Sequence, residues 1–192
     1  MAATVAVGRV TTGEPGSQVQ VTNSGTQRDA VLDFVIPRGD TGMEGAPEVL
    51  AAVDSAAQTS TAGGALVFND TPLLSGSSIT HPMASADVQI TRDGIYQVAF
   101  HGTVSVSAGM SIPATVLVRL FLDGAPVIGS AARHTFTSSG EMATLAFHVP
   151  FAVLHTPATI RIVVDEAGFV FRDITMTVTR LGDATVVRSS TV

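Results

Sequence analysis

The stretch Gly94-Ile-Tyr-Gln-Val-Ala-Phe-His-Gly-Thr-Val-Ser-Val106 is the strongest strand signal in the sequence. Apolar and polar side chains alternate along it, which is typical of a strand with one buried and one solvated face. The predicted buried face carries Tyr96, Val98, Phe100, Val104 and Val106. The predicted wet face carries Gln97, His101, Thr103 and Ser105. An alternation of this length predicts a long strand of an antiparallel sheet.

Shorter strands with the same alternation are predicted on both sides of this stretch. Turn signals separate them, such as Arg92-Asp93-Gly94 before the long strand and Asp123-Gly124 after it. The further predicted strands are residues 66–69, 77–81, 87–90, 115–122, 126–132, 142–149, 159–164 and 169–181. About ten short strands with turns between them predict an all-β sandwich or jelly roll for residues 63–182. The remaining residues, 183–192, are predicted to be a polar tail.

A second β-rich region occupies residues 1–36. Apolar residues alternate in three short stretches of it, which predicts a small three-stranded β meander. The alternating residues are Val5 and Val7, then Val19 and Val21, then Leu32, Phe34 and Ile36. So small a unit cannot bury enough surface to fold alone without disulfides, metals or partners. Because the chain has no cysteine, packing of three copies around one axis is the predicted solution.

Residues 37–47 join these regions and read Pro-Arg-Gly, Asp-Thr-Gly, Met-Glu-Gly, Ala-Pro. Glycine at every third residue is the requirement of a collagen triple helix, although a Gly/Pro-rich linker has a similar composition. Three triplets are too few to hold a triple helix, so a collagen-like stub would only register chains that other domains trimerise. The integrin-type tripeptide Arg38-Gly39-Asp40 lies within these triplets, and the triplet pattern already accounts for each of its residues.

Residues 47–57 are the only good helix candidate. Pro47 suits a first helical turn, and Glu48 favours the positive end of the helix dipole. Four apolar residues would share one helix face, namely Val49, Leu50, Val53 and Ala57. Two interpretations of residues 48–62 stay open. They form either a short trimeric neck, or a marginal single helix followed by a flexible linker.

Composition and charge exclude several function classes. The net charge is −6, and all ten basic residues are arginines scattered singly along the chain. Without a basic stripe, nucleic-acid binding is not expected. No apolar run approaches the ~18 residues of a membrane span, so membrane insertion is not expected. The N-terminus has neither a basic nor a long apolar region, so no secretory signal peptide is predicted.

No catalytic, cofactor-binding or metal-binding residue is predicted, and the chain is not expected to be an enzyme. The histidines follow no metal-ligand spacing, and no Gly-x-Ser-x-Gly marks a nucleophile. They are His81, His101, His134, His148 and His155. Asp165, Glu166 and Asp173 are close in sequence and raise the alternative of a calcium site, but Asp165 to Gly168 fits a polar turn better. Glycan binding would depend mainly on hydrogen bonds, since there is no tryptophan and only one tyrosine, Tyr96.

Several of these stretches carry a family resemblance. Residues 94–101 resemble the Gly-x-Tyr-x-Phe-x-aromatic strand of complement first-component and tumour-necrosis-factor-like jelly rolls, with Val98 where an aromatic is usual. Residues 120–127 and 174–181 resemble the corresponding hairpin and final strand in the bacterial branch, which includes the BclA-like tips of exosporium glycoproteins. Residues 7–39 are similar to a module that precedes Gly-x-y tracts in collagen-like proteins of Firmicutes and their phages.

The resemblance implies a homotrimeric surface or fibre protein with a stem, a collagen-like stub and a jelly-roll tip. Such a protein would belong to a virion or to a bacterial or spore surface, and would mediate attachment or register the trimer. Its partner would be a host-surface glycan or protein receptor, with unknown receptor-binding residues. A signalling-type ligand that binds a protein receptor between its subunits is the alternative. The missing secretory signal and disulfides favour the first interpretation.

Overall fold

The computed structural model describes residues 2–39 and 47–184. Within those ranges all regular secondary structure is β-strand and there is no helix, so the predicted all-β class is confirmed. The strands in chain order are β1 (Thr4–Gly13), β2 (Gln20–Asn23), β3 (Asp29–Pro37), β4 (Glu48–Asp54), β5 (Gln58–Thr59), β6 (Gly64–Ala65), β7 (Asp70–Ser75), β8 (Ile79–Thr80), β9 (Val88–Ile90), β10 (Gly94–Val106), β11 (Ala114–Leu122), β12 (Ala125–Pro126), β13 (Ala132–Phe136), β14 (Met142–Val153), β15 (Ala158–Val164) and β16 (Phe169–Gly182).

The chain divides into two compact units, Met1–Glu44 and Gly45–Val192. The predicted collagen-like stub lies largely at residues 40–46, outside the described ranges. Most of the predicted polar tail, residues 185–192, also lies outside them. Both therefore stay predictions.

The first unit is a three-stranded sheet of order β1-β3-β2, here called sheet I. The predicted meander is wrong, because β1 pairs in parallel with β3 and not with β2. Strand β3 offers nine residues for pairing whereas β2 offers four, so the long β1 forms the longer ladder beside β3. Asn23 holds the β2–β3 hairpin, since its Oδ1 accepts hydrogen bonds from the backbone N–H of Gly25 at 2.9 Å and of Val31 at 3.0 Å.

The second unit is a sandwich of two antiparallel sheets. Sheet II has the order β14-β10-β16-β4-β7, with β5 beside β16. Sheet III has the order β12-β11-β15-β9-β8, with β13 beside β11 and β6 beside β15. The inward residues of both sheets form one hydrophobic core. Phe136 of sheet III and Phe169 of sheet II meet within it, with ring centroids 5.8 Å apart.

The long strand predicted from the sequence is β10, with the predicted bounds. Its predicted core residues are all buried, from Tyr96 to Val106. Tyr96 is completely buried, and its hydroxyl donates a hydrogen bond to the Arg92 carbonyl oxygen at 2.7 Å. Strand β10 therefore lies inside sheet II, paired with β14 on one side and β16 on the other, and buries one of its two faces.

The predicted helix at residues 47–57 is wrong, because Glu48 to Asp54 form β4. This strand lies between β16 and β7 and pairs with both. Leu50 and Ala52 point inward and are completely buried. A helix of this length would be marginal by itself. As a strand the segment completes two ladders and adds to the core, so tertiary pairing overrides the helix propensity of its alanines.

The sequence missed the short strands β5 and β6 and the edge strand β7, and it displaced the strand before β13. The strand predicted at residues 66–69 is wrong, because only an isolated bridge between Phe68 and Ser85 forms there. Strand β7 contains Pro72 and exposes about half of Leu73 and Leu74, which fits an edge strand and gives no alternation to detect. Residues 126–132, predicted as one strand, instead comprise β12 and a turn before β13. The buried hydroxyl of Ser130 stabilises that turn by donating to the Val127 carbonyl oxygen at 2.7 Å.

Candidate functional site

The histidines are dispersed through the sandwich. His81 Nε2 donates to the Ser85 carbonyl oxygen at 3.0 Å, and His134 Nε2 lies 2.7 Å from Glu141 Oε1. His101 and His148 are exposed on the outer face of sheet II, and His155 is exposed in the β14–β15 loop. Across residues 2–39 and 47–184, no group of three or more histidines and carboxylates is placed to hold a metal ion.

The carboxylates that raised the calcium alternative are not brought together. Asp165 forms an ion pair with Arg119 on sheet III. Asp173 lines a separate depression of about 280 Å³ beside β4 and β16, together with Asp70 and His101. This depression is smaller than the ~300 to 1,000 Å³ of typical ligand pockets. As predicted, residues 165–168 form the turn between β15 and β16.

The integrin-type tripeptide is described only in part. The Arg38 guanidinium nitrogen Nη2 lies 3.9 Å from Glu14 Oε2, and both side chains are largely exposed. Asp40 lies outside the described residues. An exposed ion pair of this kind contributes little to stability.

The outer face of sheet II is the most distinctive surface of the sandwich. Three rows of side chains cross neighbouring strands in register, and from β14 to β4 none contains an aspartate, glutamate or arginine, whereas the second row meets Asp70 on the edge strand β7. The rows are Leu73, Ala51, Thr177, Ala99 and His148; Val53, Thr175, His101 and Ala146; and Val49, Thr179, Gln97 and Pro150. We call these residues the neutral face.

The lack of charged side chains makes the neutral face suitable for contact with another protein. Its central row is Ala51, Thr177 and Ala99, all of them half-buried. Charged groups are depleted at the centres of protein interfaces, where they would lose their hydration. The sequence held a signal for this face, because the outward positions of the predicted strands 94–106 and 169–181 are mostly threonine, serine, glutamine and alanine.

Charged groups at one end of sheet II are engaged within the chain. The Glu48 carboxylate accepts hydrogen bonds from Ser78 Oγ at 2.6 Å and from the backbone N–H groups of Ser78 at 2.7 Å and Ser77 at 2.8 Å. These bonds, the Ser78 hydroxyl foremost, hold the pKa of Glu48 below its ordinary value of 4.5. Arg180 forms an ion pair with Asp183 near the same end.

Sheet I has an apolar face without a core. Its register places on one face the side chains of Val5, Val7, Val10, Val21, Leu32, Phe34 and Ile36. None of the residues 2–39 is buried, and Val5 and Val7 are about 70% exposed. A bulge at Gly8 and Arg9 keeps Val7 and Val10 on the same face. Asp33 stabilises this bulge by accepting a hydrogen bond from the Arg9 backbone N–H at 2.6 Å, which lowers the pKa of Asp33.

Solved structures share the fold of the sandwich. The chain is similar to the globular domain of zebrafish complement 1qA protein, with 11% identity and a TM-score of 0.53, covering 71% of this chain and 99% of that chain. It is similar to murine APRIL, with 12% identity and a TM-score of 0.56, covering 71% of this chain and 100% of that chain. Eiger TNF from S. frugiperda shares 12% identity at a TM-score of 0.52, covering 75% of this chain and 99% of that chain.

These likenesses show the fold, a complement first-component and tumour-necrosis-factor-like jelly roll. The fold implied by the sequence resemblance is therefore confirmed, whereas the collagen-like bacterial or phage origin stays a prediction. No family model matches the chain, and no curated protein matches it in sequence. Among the described residues, no helix is long and apolar enough to cross a membrane.

Proposed function

We propose that the chain is a non-enzymatic homotrimeric surface or fibre protein, in which sheet I forms a stem and the jelly roll forms a tip. It would mediate attachment, or register the trimer, on a virion or on a bacterial or spore surface. Residues 37–47 connect the two parts as a collagen-like stub.

The observation that carries this proposal is the apolar face of sheet I. Seven large apolar side chains lie on one side of a sheet that has no buried residue. A single copy cannot bury them within sheet I, and the chain has no disulfide to compensate. Equivalent faces from three copies would form the missing core around an axis, which a closed cyclic assembly permits.

The neutral face supports the same assembly in the tip. Its uncharged rows cross the four strands β14, β10, β16 and β4 of sheet II, and no ionised carboxylate or guanidinium would need to be desolvated there. We infer that this face packs against the other two copies of the jelly roll. The outer face of sheet III then remains free for a receptor.

Charge placed in the middle of the neutral face tests this assembly. Thr177→Glu would bury a carboxylate without a partner at the interface, so we expect the trimer of about 59 kDa to dissociate towards the 19.7 kDa chain at higher protein concentrations than the wild type does, although sheet I still contributes to its association. Thr135→Glu is the matched control, since Thr135 is exposed on β13 of sheet III. Light scattering and circular dichroism would be measured on both variants.

A Thr177→Glu protein that stays folded, and whose trimer withstands dilution as well as the wild-type trimer does, would show that the neutral face is not the interface. For the attachment function, purified wild-type chain would be incubated with intact bacterial cells. Saturable retention on cells is expected, and a trimer that is never retained would leave trimer registration as its role.

A further inference from the structure

A groove on the outer face of sheet III has no role in the assembly proposed above. It has a volume of about 490 Å³, within the ~300 to 1,000 Å³ of typical ligand pockets. Phe121 of β11 and Arg161 of β15 are directly opposite in the ladder and form its floor. Gly63 and the Asp123-Gly124 turn form part of its rim.

The charged side chains of the groove are fixed in position. Arg161 forms a two-point ion pair with Asp87 of the adjoining loop, and its Nη2 lies 3.0 Å from Asp87 Oδ2. Asp165 is paired with Arg119, whose guanidinium carbon lies 6.0 Å from the centre of the Phe121 ring. Because these side chains are already held in place, less conformational entropy of the protein is lost when a ligand binds.

Both carboxylates of the groove retain an acceptor. Asp123 Oδ1 accepts a hydrogen bond from the Thr159 backbone N–H at 2.7 Å, and Asp165 uses Oδ2 for Arg119. Their second oxygens have no hydrogen-bond partner among the described residues. The groove therefore offers free acceptors beside a half-exposed aromatic ring.

This combination selects one ligand chemistry. An anionic ligand would meet the free carboxylate oxygens, while both guanidiniums are already neutralised by Asp87 and Asp165. A purely apolar ligand would leave these charged groups desolvated without compensation. A pyranose ring has hydroxyls that donate to carboxylates and a C–H face that packs on an aromatic ring.

We propose that this groove binds a neutral hexopyranose unit of a surface glycan, stacked on Phe121 and hydrogen-bonded to Asp123 and Asp165. The proposal rests on the attachment function above and specifies the chemical class of its receptor. Because the groove lies on the sheet opposite to the neutral face, it stays open when three copies associate through that face.

A glycan array probed with the full-length chain tests the ligand class, with neutral, sialylated and sulfated glycans side by side. Binding to neutral glycans is expected. The affinity for the strongest neutral hexose would then be measured by calorimetry. Phe121→Ala and Asp123→Asn should each weaken binding at least about tenfold, because they remove the stacking surface and a charged acceptor.

Asp93→Asn is the matched control, an exposed aspartate in the turn before β10, and should leave affinity unchanged. Melting temperature and native mass of each variant confirm that folding and assembly are intact. Undiminished binding in both groove variants, or binding only to sialylated or sulfated glycans, would overturn the proposal. A trimer that binds no glycan overturns it while the proposed assembly stands, whereas a monomer overturns the assembly itself.

Discussion

At the scale of single residues, buried and half-buried polar groups decide how the turns of the sandwich close. Glu48 accepts three hydrogen bonds from Ser77 and Ser78, and so links the start of β4 to the turn before β8. Gly76 in that turn has a φ of +89°, a conformation that glycine adopts without strain. From the sequence, Glu48 was assigned to a helix N-terminus, because its partners are about thirty residues away and leave no local signal.

Glu48→Gln is predicted to destabilise the protein by about 1 to 3 kcal/mol, since the hydrogen bonds lose their charged acceptor. The pKa of Glu48 is lowered on folding, so its stabilisation is present above the unfolded pKa and is lost as the pH falls through the folded pKa. Denaturant unfolding between pH 3 and pH 7 should thus show a weaker acid dependence in the variant. The exposed Glu166→Gln is the control, and an equal effect of both would contradict this role.

Tyr96→Phe is predicted to cost about 0.5 to 1.5 kcal/mol, because it removes the hydrogen bond from the Tyr96 hydroxyl to the Arg92 carbonyl oxygen. The ring itself stays, so packing should be conserved. Urea unfolding measures the difference. An unchanged midpoint would show that the hydroxyl does not stabilise this end of β10.

At the scale of elements, the sequence predicts strands well where one face is buried and poorly where pairing partners decide. Strand β10 was predicted with its full bounds because its alternation is long and its polar face is regular. The segment 48–54 and the order of sheet I were mispredicted, because both depend on ladders with distant residues. The edge strand β7 escaped detection because it has little inward-facing apolar surface of its own.

Leu50→Ala tests the reassignment of residues 48–54. Leu50 is a completely buried side chain of β4. Its truncation to alanine should lower the free energy of unfolding by about 2 to 5 kcal/mol. A marginal single helix followed by a flexible linker would tolerate the change far better. Leu154→Ala is the control, because Leu154 is 54% exposed and should cost little. Equal melting temperatures for the two variants would contradict the strand assignment.

At the scale of the whole molecule, the candidate surfaces follow from how the strands associate. The neutral face could be anticipated in part, since the outward positions of the predicted strands are mostly uncharged. The groove could not, because Phe121 and Arg161 lie on different strands and become neighbours only through the β11–β15 register. The apolar face of sheet I was expected to need a partner, and the absence of buried residues in 2–39 supports that expectation.

The mass of the full-length chain in solution tests the central claim, homotrimer formation, most directly. Light scattering coupled to gel filtration should give about 59 kDa, three times the 19.7 kDa chain, over a range of protein concentrations. A closed trimer stops growing at that mass because every apolar and neutral face is covered. A folded monomer of 19.7 kDa at all concentrations would contradict the account.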